Sequence, residues 1–376
     1  MILLSLARFV AAVLSAVVLA AAGYLLWSWY DGYWLVAPDG VVVRVREDWR
    51  LWVGAGLLAW SVLGRLILPL VLAKGGGRAT KAVRSGGQTV PGDSGSQLEV
   101  EQHGPAGAPV LIFTHGWGMD LTYWNYARQD LEDRFRLVLW DLPGLGRSKP
   151  PVGGAITLAN FATDLRGLIE AQDRPVVLVG HSIGGMTIQT LVRDHPDILP
   201  RVAGIVLENT SYTNPLKTMV FSRLLLALQK PVLEPAMHLT MWLQPLVWLS
   251  KWQSYLSGSM HAGMRLGFGK FVTRSQLGHA ALLATRAAPG VEAKGDLAML
   301  NWDATGALAD CPVPVMVLGG DLDIVTKLEA SRTIAAETSK ARLQVVPGVN
   351  HMGPMEQAEV YNAAIAAFAL AAQPRT

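Results

Sequence analysis

Val176 to Gly185, VVLVGHSIGG, constrains the fold of this chain more than any other stretch. The four apolar residues Val176 to Val179 suit a parallel strand covered on both faces. Gly180-His181-Ser182-Ile183-Gly184 then fits the G-x-S-x-G turn that joins such a strand to a helix. The turn forces the serine into a strained backbone conformation, and only small residues two positions either side let strand and helix pass so closely. A side chain larger than hydrogen at Gly180 or Gly184 is expected to clash, and Ser182 becomes the candidate nucleophile.

A serine hydroxyl needs a histidine base at neutral pH, and the base needs a carboxylate to orient it. Of the eight histidines, His351 is best placed: it follows a strand-like run, Leu343 to Val346, and the turn Pro347-Gly348-Val349-Asn350. Upstream, the apolar run Val313 to Leu318 leads into Gly319-Gly320-Asp321-Leu322-Asp323. The chain order is therefore serine, acid, histidine. Each residue lies past the carboxyl end of an expected strand, where open α/β sheets place their sites. Asp321 and Glu208 remain rivals for the acid, the second because it closes the apolar run Val202 to Leu207.

Five segments carry a resemblance: HGWG at His115 to Gly118, DLPGLGRS at Asp141 to Ser148, GHSIGG at Gly180 to Gly185, GGDLDIV at Gly319 to Val325 and PGVNHMGPMEQ at Pro347 to Gln357. From about Gln97 to Phe368 the chain resembles bacterial α/β-hydrolase-fold serine hydrolases of the esterase, lactonase and cofactor-free haloperoxidase group. The resemblance implies an α/β class with a mostly parallel central sheet and a helical cap. It places the acid on Asp323, counted G-x-x-D from Gly320, and the base on His351. It also implies an oxyanion hole made by the main-chain N–H groups of Trp117 and Ile183. His115 and His181 are then structural neighbours of the site. The glycines of Asp141 to Gly146 mark a tight turn, since a lone G-x-G without a third glycine is a weak phosphate signal. A serine at position 182 disfavours the family's aspartate-nucleophile branches. No Cys/His cluster has metal-ligand spacing, and Cys311, the single cysteine, reads as a small apolar filler. No cofactor and no metal are expected.

The first quarter has a different composition. Phe9 to Tyr30 is uncharged and long enough, at about 1.5 Å per residue, to cross a hydrocarbon core about 30 Å thick. A second run, Leu51 to Ala73, is broken only by Arg65, whose long side chain can snorkel or pair within a helical hairpin. Tyr24, Trp27, Trp29, Tyr30, Trp34, Trp49 and Trp52 cluster where the two runs approach one another, as an interfacial aromatic belt does. Residues 1–73 thus read as a two-helix transmembrane anchor, with a turn at Pro38-Asp39-Gly40. A cleaved signal peptide is the competing reading of the first run, with Ala20-Ala21-Ala22 as its small-residue site. Residues 74–96 read as a flexible basic linker, and 97–376 as the hydrolase domain. The linker's Lys74, Arg78, Lys81 and Arg84 place that domain on the cytoplasmic side by the positive-inside rule, with membrane lipid as a partner. The net charge of +3 has no recognition motif beside it, so nucleic acid is not expected.

Between about Tyr212 and Trp302 strand signals vanish, and prolines 215, 231, 235 and 245 divide short apolar helices. This cap reads either as a lid over the core or as an acyl site or bilayer-dipping surface, with Trp242 and Trp248 as candidate substrate contacts. Taken together, the residues point to a membrane-tethered serine hydrolase acting on a hydrophobic ester. The alternatives are a lactonase using the same groups and a non-catalytic membrane receptor or scaffold on the same fold.

Overall fold

The computed structural model describes residues 2–80 and 83–372, with the side chains of 2–4 left aside. Lys81, one of the four basic residues used for orientation, lies outside the described residues. The two apolar runs form α1 (Ile2–Asp31) and α2 (Asp48–Leu72), joined by the hairpin β1 (Tyr33–Val36) and β2 (Val42–Val45). Both helices are long and apolar enough to cross a membrane, and most of each lies outside the protein's own interior.

The rest is one eight-stranded sheet with helices on both faces. Its first part comprises β3 (Gln88–Pro91), β4 (Gln97–His103), β5 (Val110–Thr114), α3 (Asn125–Leu131), β6 (Arg136–Trp140), α4 (Leu158–Glu170), β7 (Val176–His181), α5 (Ile183–Asp194) and β8 (Val202–Glu208). A helical insertion follows: α6 (Pro215–Thr218), α7 (Ser222–Leu228), α8 (Glu234–Trp242), α9 (Gln244–Leu256), α10 (Ser259–Arg265), α11 (Arg274–Arg286) and α12 (Pro289–Leu300). The chain then returns to the sheet with β9 (Val315–Gly320), α13 (Leu328–Ala336), β10 (Ala341–Val346), α14 (Gly353–Glu356) and α15 (Ala358–Ala372).

Strand order is β10-β9-β8-β7-β5-β6-β4-β3, parallel except where β4 pairs with β6 and with β3. The central strands are apolar throughout because both faces are covered. Alternation splits their side chains between two cores: Ile112, Leu178 and Ile205 pack with Leu165 and Ile188 on one face. Phe113, Val179 and Val206 pack with Leu131 and Ile365 on the other. This central position carries the ends of β7, β8 and β9 to one rim, where the site lies.

The stretch expected as a flexible linker is tied down instead. Lys74 bridges to Thr273, Arg78 pairs with Asp130, and Arg84 reaches Asp141 at 2.9 Å and Asp120 at 3.1 Å. Residues 88–91 form the outermost strand, registered Gln88 to Val100. The physical reason is charge pairing: Asp141 is fully buried, and a buried carboxylate needs a partner that the basic segment supplies.

Candidate active site

Ser182 sits between β7 and α5 at φ 56° and ψ −117°, a left-handed-side conformation that L-residues rarely adopt. The glycines that flank it have no room for more. A Cβ on Gly184 would lie 2.1 Å from the carbonyl oxygen of Thr114, and one on Gly180 would lie 2.5 Å from the Gly184 carbonyl carbon. Main-chain bonding holds the turn: the Ser182 N–H donates to Glu208 O at 2.9 Å, and Thr210 Oγ1 donates to Ser182 O at 2.6 Å.

The hydroxyl thus aimed meets a histidine. Ser182 Oγ lies 2.8 Å from His351 Nε2, and His351 Nδ1 lies 3.0 Å from Asp323 Oδ2. With Nδ1–H donating to the carboxylate, Nε2 is free to accept from the serine. Asp323 is itself saturated: its Oδ1 accepts the N–H groups of Val325 and Thr326, both at 2.8 Å, and Oδ2 accepts Thr326 Oγ1 at 2.8 Å and Asn209 Nδ2 at 3.0 Å. Burial raises the Asp323 pKa, but neighbouring His351 and these hydrogen bonds outweigh it and leave the pKa below its ordinary value. The carboxylate therefore stays ionised beside the imidazole. No sequence motif points to Asn209 or Thr326. Asn209 follows β8 directly and has a φ of 43°, a property of the folded backbone with no sequence pattern to announce it.

The rival acids stand elsewhere. Glu208 is fully buried, neither carboxyl oxygen has a hydrogen-bond partner among the described residues, and burial pushes its pKa up to about 8. Asp321 is exposed and accepts the Gly348 N–H at 2.6 Å, bracing the turn before His351. The other motif histidines are occupied as well. His115 Nδ1 lies 2.8 Å from Gly116 O, and its Nε2 accepts from the Leu142 N–H at 3.1 Å. His181 Nε2 lies 2.9 Å from His351 O, and its ring stacks on Tyr123 at 4.9 Å. Burial drives the His181 pKa down to about 3, so at neutral pH it is an uncharged brace for the His351 backbone.

The main-chain N–H groups of Trp117 and Ile183 donate to no other group among the described residues. The Trp117 indole is anchored by donation to Glu292 O at 3.2 Å. A cavity of about 20 Å³ beside Ser182 and His351 is lined by Gly116, Trp117, Met119, Met264, Met352 and Arg8, room for about one water. Arg8 comes from α1, and it bonds Glu292 Oε1 at 3.2 Å. The sequence could not announce that contact, whose partners lie 284 residues apart. Trp242 and Trp248 do not line this cavity. They stand on the outer side of the cap, Trp242 at 79% exposure; α8 buries Met237 instead, and α9, which carries Trp248, turns Lys251 and Ser254 inward. Among the described residues no three His, Cys, Asp or Glu side chains converge as a metal site requires.

A strand–serine–helix elbow with histidine and aspartate arriving from later strands is the arrangement of one family, whose model, the alpha/beta hydrolase family, matches residues 111–364. The chain belongs to the alpha/beta hydrolase family. RutD of Caulobacter sp. (strain K31), provisionally assigned as a carbamate hydrolase, is 27% identical over 268 residues, 70% of this chain and 92% of that one. A pimeloyl-[acyl-carrier protein] methyl ester esterase of Citrobacter koseri is 39% identical over 87 residues, which span 23% of this chain and 32% of that one. Among solved structures, a thermophilic esterase from Thermogutta terrifontis superposes with a TM-score of 0.61 at 23% identity, covering 77% of this chain and 100% of that one. That last likeness concerns the fold.

Proposed function

We propose that this protein is a membrane-tethered serine hydrolase that cleaves a hydrophobic carboxylic ester through an acyl-enzyme. In this reading Ser182 Oγ attacks the ester carbonyl while His351 Nε2 takes its proton. Asp323 holds the imidazole in the required tautomer and stabilises the imidazolium. The N–H groups of Trp117 and Ile183 receive the charge that develops on the carbonyl oxygen. His351 then returns the proton to the leaving alkoxide, and water, activated by the same imidazole, releases the acid. The observation that carries the reading is the unbroken line from Ser182 Oγ to His351 at 2.8 Å and on to Asp323 at 3.0 Å.

An ester is the bond of choice because one relative is named for methyl ester cleavage. A hydrophobic acyl group suits the apolar side chains that gather beside Ser182, namely Met119, Trp117, Met264 and Met352. The tether is α1 and α2, with the hydrolase on the cytoplasmic side. Of the basic residues counted toward that side, Arg78 and Arg84 also pair within the protein, with Asp130 and Asp141.

The test is a panel of p-nitrophenyl esters, lactones and acyl thioesters on detergent-purified full-length protein. Each buried methylene contributes roughly 0.8 kcal/mol, so medium-chain esters are expected to exceed acetate in kcat/KM by well over tenfold. A flat chain-length profile, or turnover confined to lactones, would overturn the substrate assignment.

A further inference from the structure

Helix α9 is built the wrong way round for a helix that faces water. Its one cation, Lys251, turns inward and donates to Ala287 O and to Glu292 Oε2, each at 2.6 Å. Its outward residues Leu246 and Leu249 are 63% and 68% exposed. Spacing of three to four residues puts Leu246, Leu249 and Trp252 on one stripe, which Trp242 extends at the end of α8. The preceding helix continues the pattern with Phe221 at its start and Leu224 within it, 71% and 59% exposed. Soluble proteins rarely leave an apolar surface of this extent to water. The exposed charges between residues 221 and 252 are Arg223 and Lys230, both cations, as suits a rim against anionic headgroups.

This face is continuous with the two apolar helices. α1 packs along α9 and α10, and α2 packs on the same pair. Ser15 Oγ lies 2.6 Å from Ser257 Oγ. On α2, Gly64 touches the same residue so closely that a Cβ would lie 2.1 Å from Ser257 O. Beyond those two contacts, sixteen residues remain from Ser15 to the end of α1 at Asp31, and sixteen from the start of α2 at Asp48 to Gly64. Sixteen residues rise about 24 Å, short of a hydrocarbon core of about 30 Å. If both helices cross, the remaining depth is occupied at the level where they already lie against the cap.

We propose that the outer face of α7, α8 and α9 is embedded in the near leaflet of the bilayer that α1 and α2 cross, setting the Ser182 cavity at the lipid–water boundary. The inference rests on the reading of α1 and α2 as membrane spans. Arg8 and Met264, two walls of the cavity, come from α1 and α10, the helices that border this face.

Spin labelling of the full-length protein tests it. On a Cys311→Ala background, nitroxides are attached at Leu246→Cys, Leu249→Cys and Leu224→Cys, with Val62→Cys on α2 as the reference for a span. Val152→Cys, on a fully exposed residue of the loop that precedes α4, is the reference for water. The proteins are reconstituted into vesicles of phosphatidylcholine and phosphatidylglycerol, and accessibility to oxygen and to a water-soluble nickel chelate is compared. Only variants that keep the wild-type thermal midpoint are read. The cap labels are expected to match Val62, with oxygen accessibility dominant. A lipid-like Val62 with water-like cap labels would overturn the inference and leave the tether standing. Water-like signals at Val62 and at the cap labels would overturn both.

Discussion

At Ser182 a strained backbone is held so that one hydroxyl points at one imidazole. The φ of 56° is unfavourable by itself, and it is sustained by the bonds to Glu208 O and from Thr210 Oγ1 and by glycines that leave no slack. The three candidate acids separate by environment. Asp323→Asn keeps the shape but favours the wrong tautomer of His351, so kcat is expected to fall by about 10⁴, while Asp321→Asn and Glu208→Gln lose less than tenfold; stopped ester hydrolysis assays of the three variants decide it. A large loss at Glu208 with little at Asp323 would move the acid to the end of β8. Glu208 also makes stability depend on pH. Its folded pKa of about 8 lies above its ordinary 4.5, so the unfolded chain ionises first, and the stability present below pH 4.5 is lost as pH rises toward 8. Thermal midpoints measured from pH 5 to 8 should fall less steeply for Glu208→Gln than for the wild type; parallel slopes would show that Glu208 is not the group responsible.

Among the elements, those that gather the site were legible because their signals are local. Val176 to Val179 is apolar in every position, as a doubly covered strand must be, and β7 begins at Val176. The runs ending at Leu207, Leu318 and Val346 became β8, β9 and β10, and Pro38-Asp39-Gly40 became the turn between β1 and β2. What escaped was long-range. A basic glycine-rich segment looks like a solvated linker until Asp120 and Asp141, more than thirty residues away, are brought against Arg84. Trp242 and Trp248 looked like pocket residues because apolar cap positions usually face inward, and nothing in a short helix states that its lysine will turn in instead. The Arg84 contact is expected to matter for stability. Arg84→Ala leaves the buried Asp141 without its ion partner, a change that typically costs about 3–5 kcal/mol, measurable as a lowered midpoint in denaturant. A loss under about 1 kcal/mol would return residues 74–87 to the role of a passive linker.

Over the whole molecule, α1 does two things at once. Its Ser5–Asp31 stretch is long and apolar enough to cross a bilayer, and its first turns deliver Arg8 to the cavity beside Ser182. That cavity holds about 20 Å³, and Arg8 ties its α1 wall to Glu292 of α12 at 3.2 Å. The account still stands or falls on the nucleophile. The most direct measurement is intact and peptide mass spectrometry of full-length protein treated with a fluorophosphonate. The account predicts one adduct per chain, on the peptide bearing Ser182, absent from Ser182→Ala and strongly reduced in a folded His351→Ala. An unmodified wild-type protein, or an adduct of equal yield in Ser182→Ala, would contradict it.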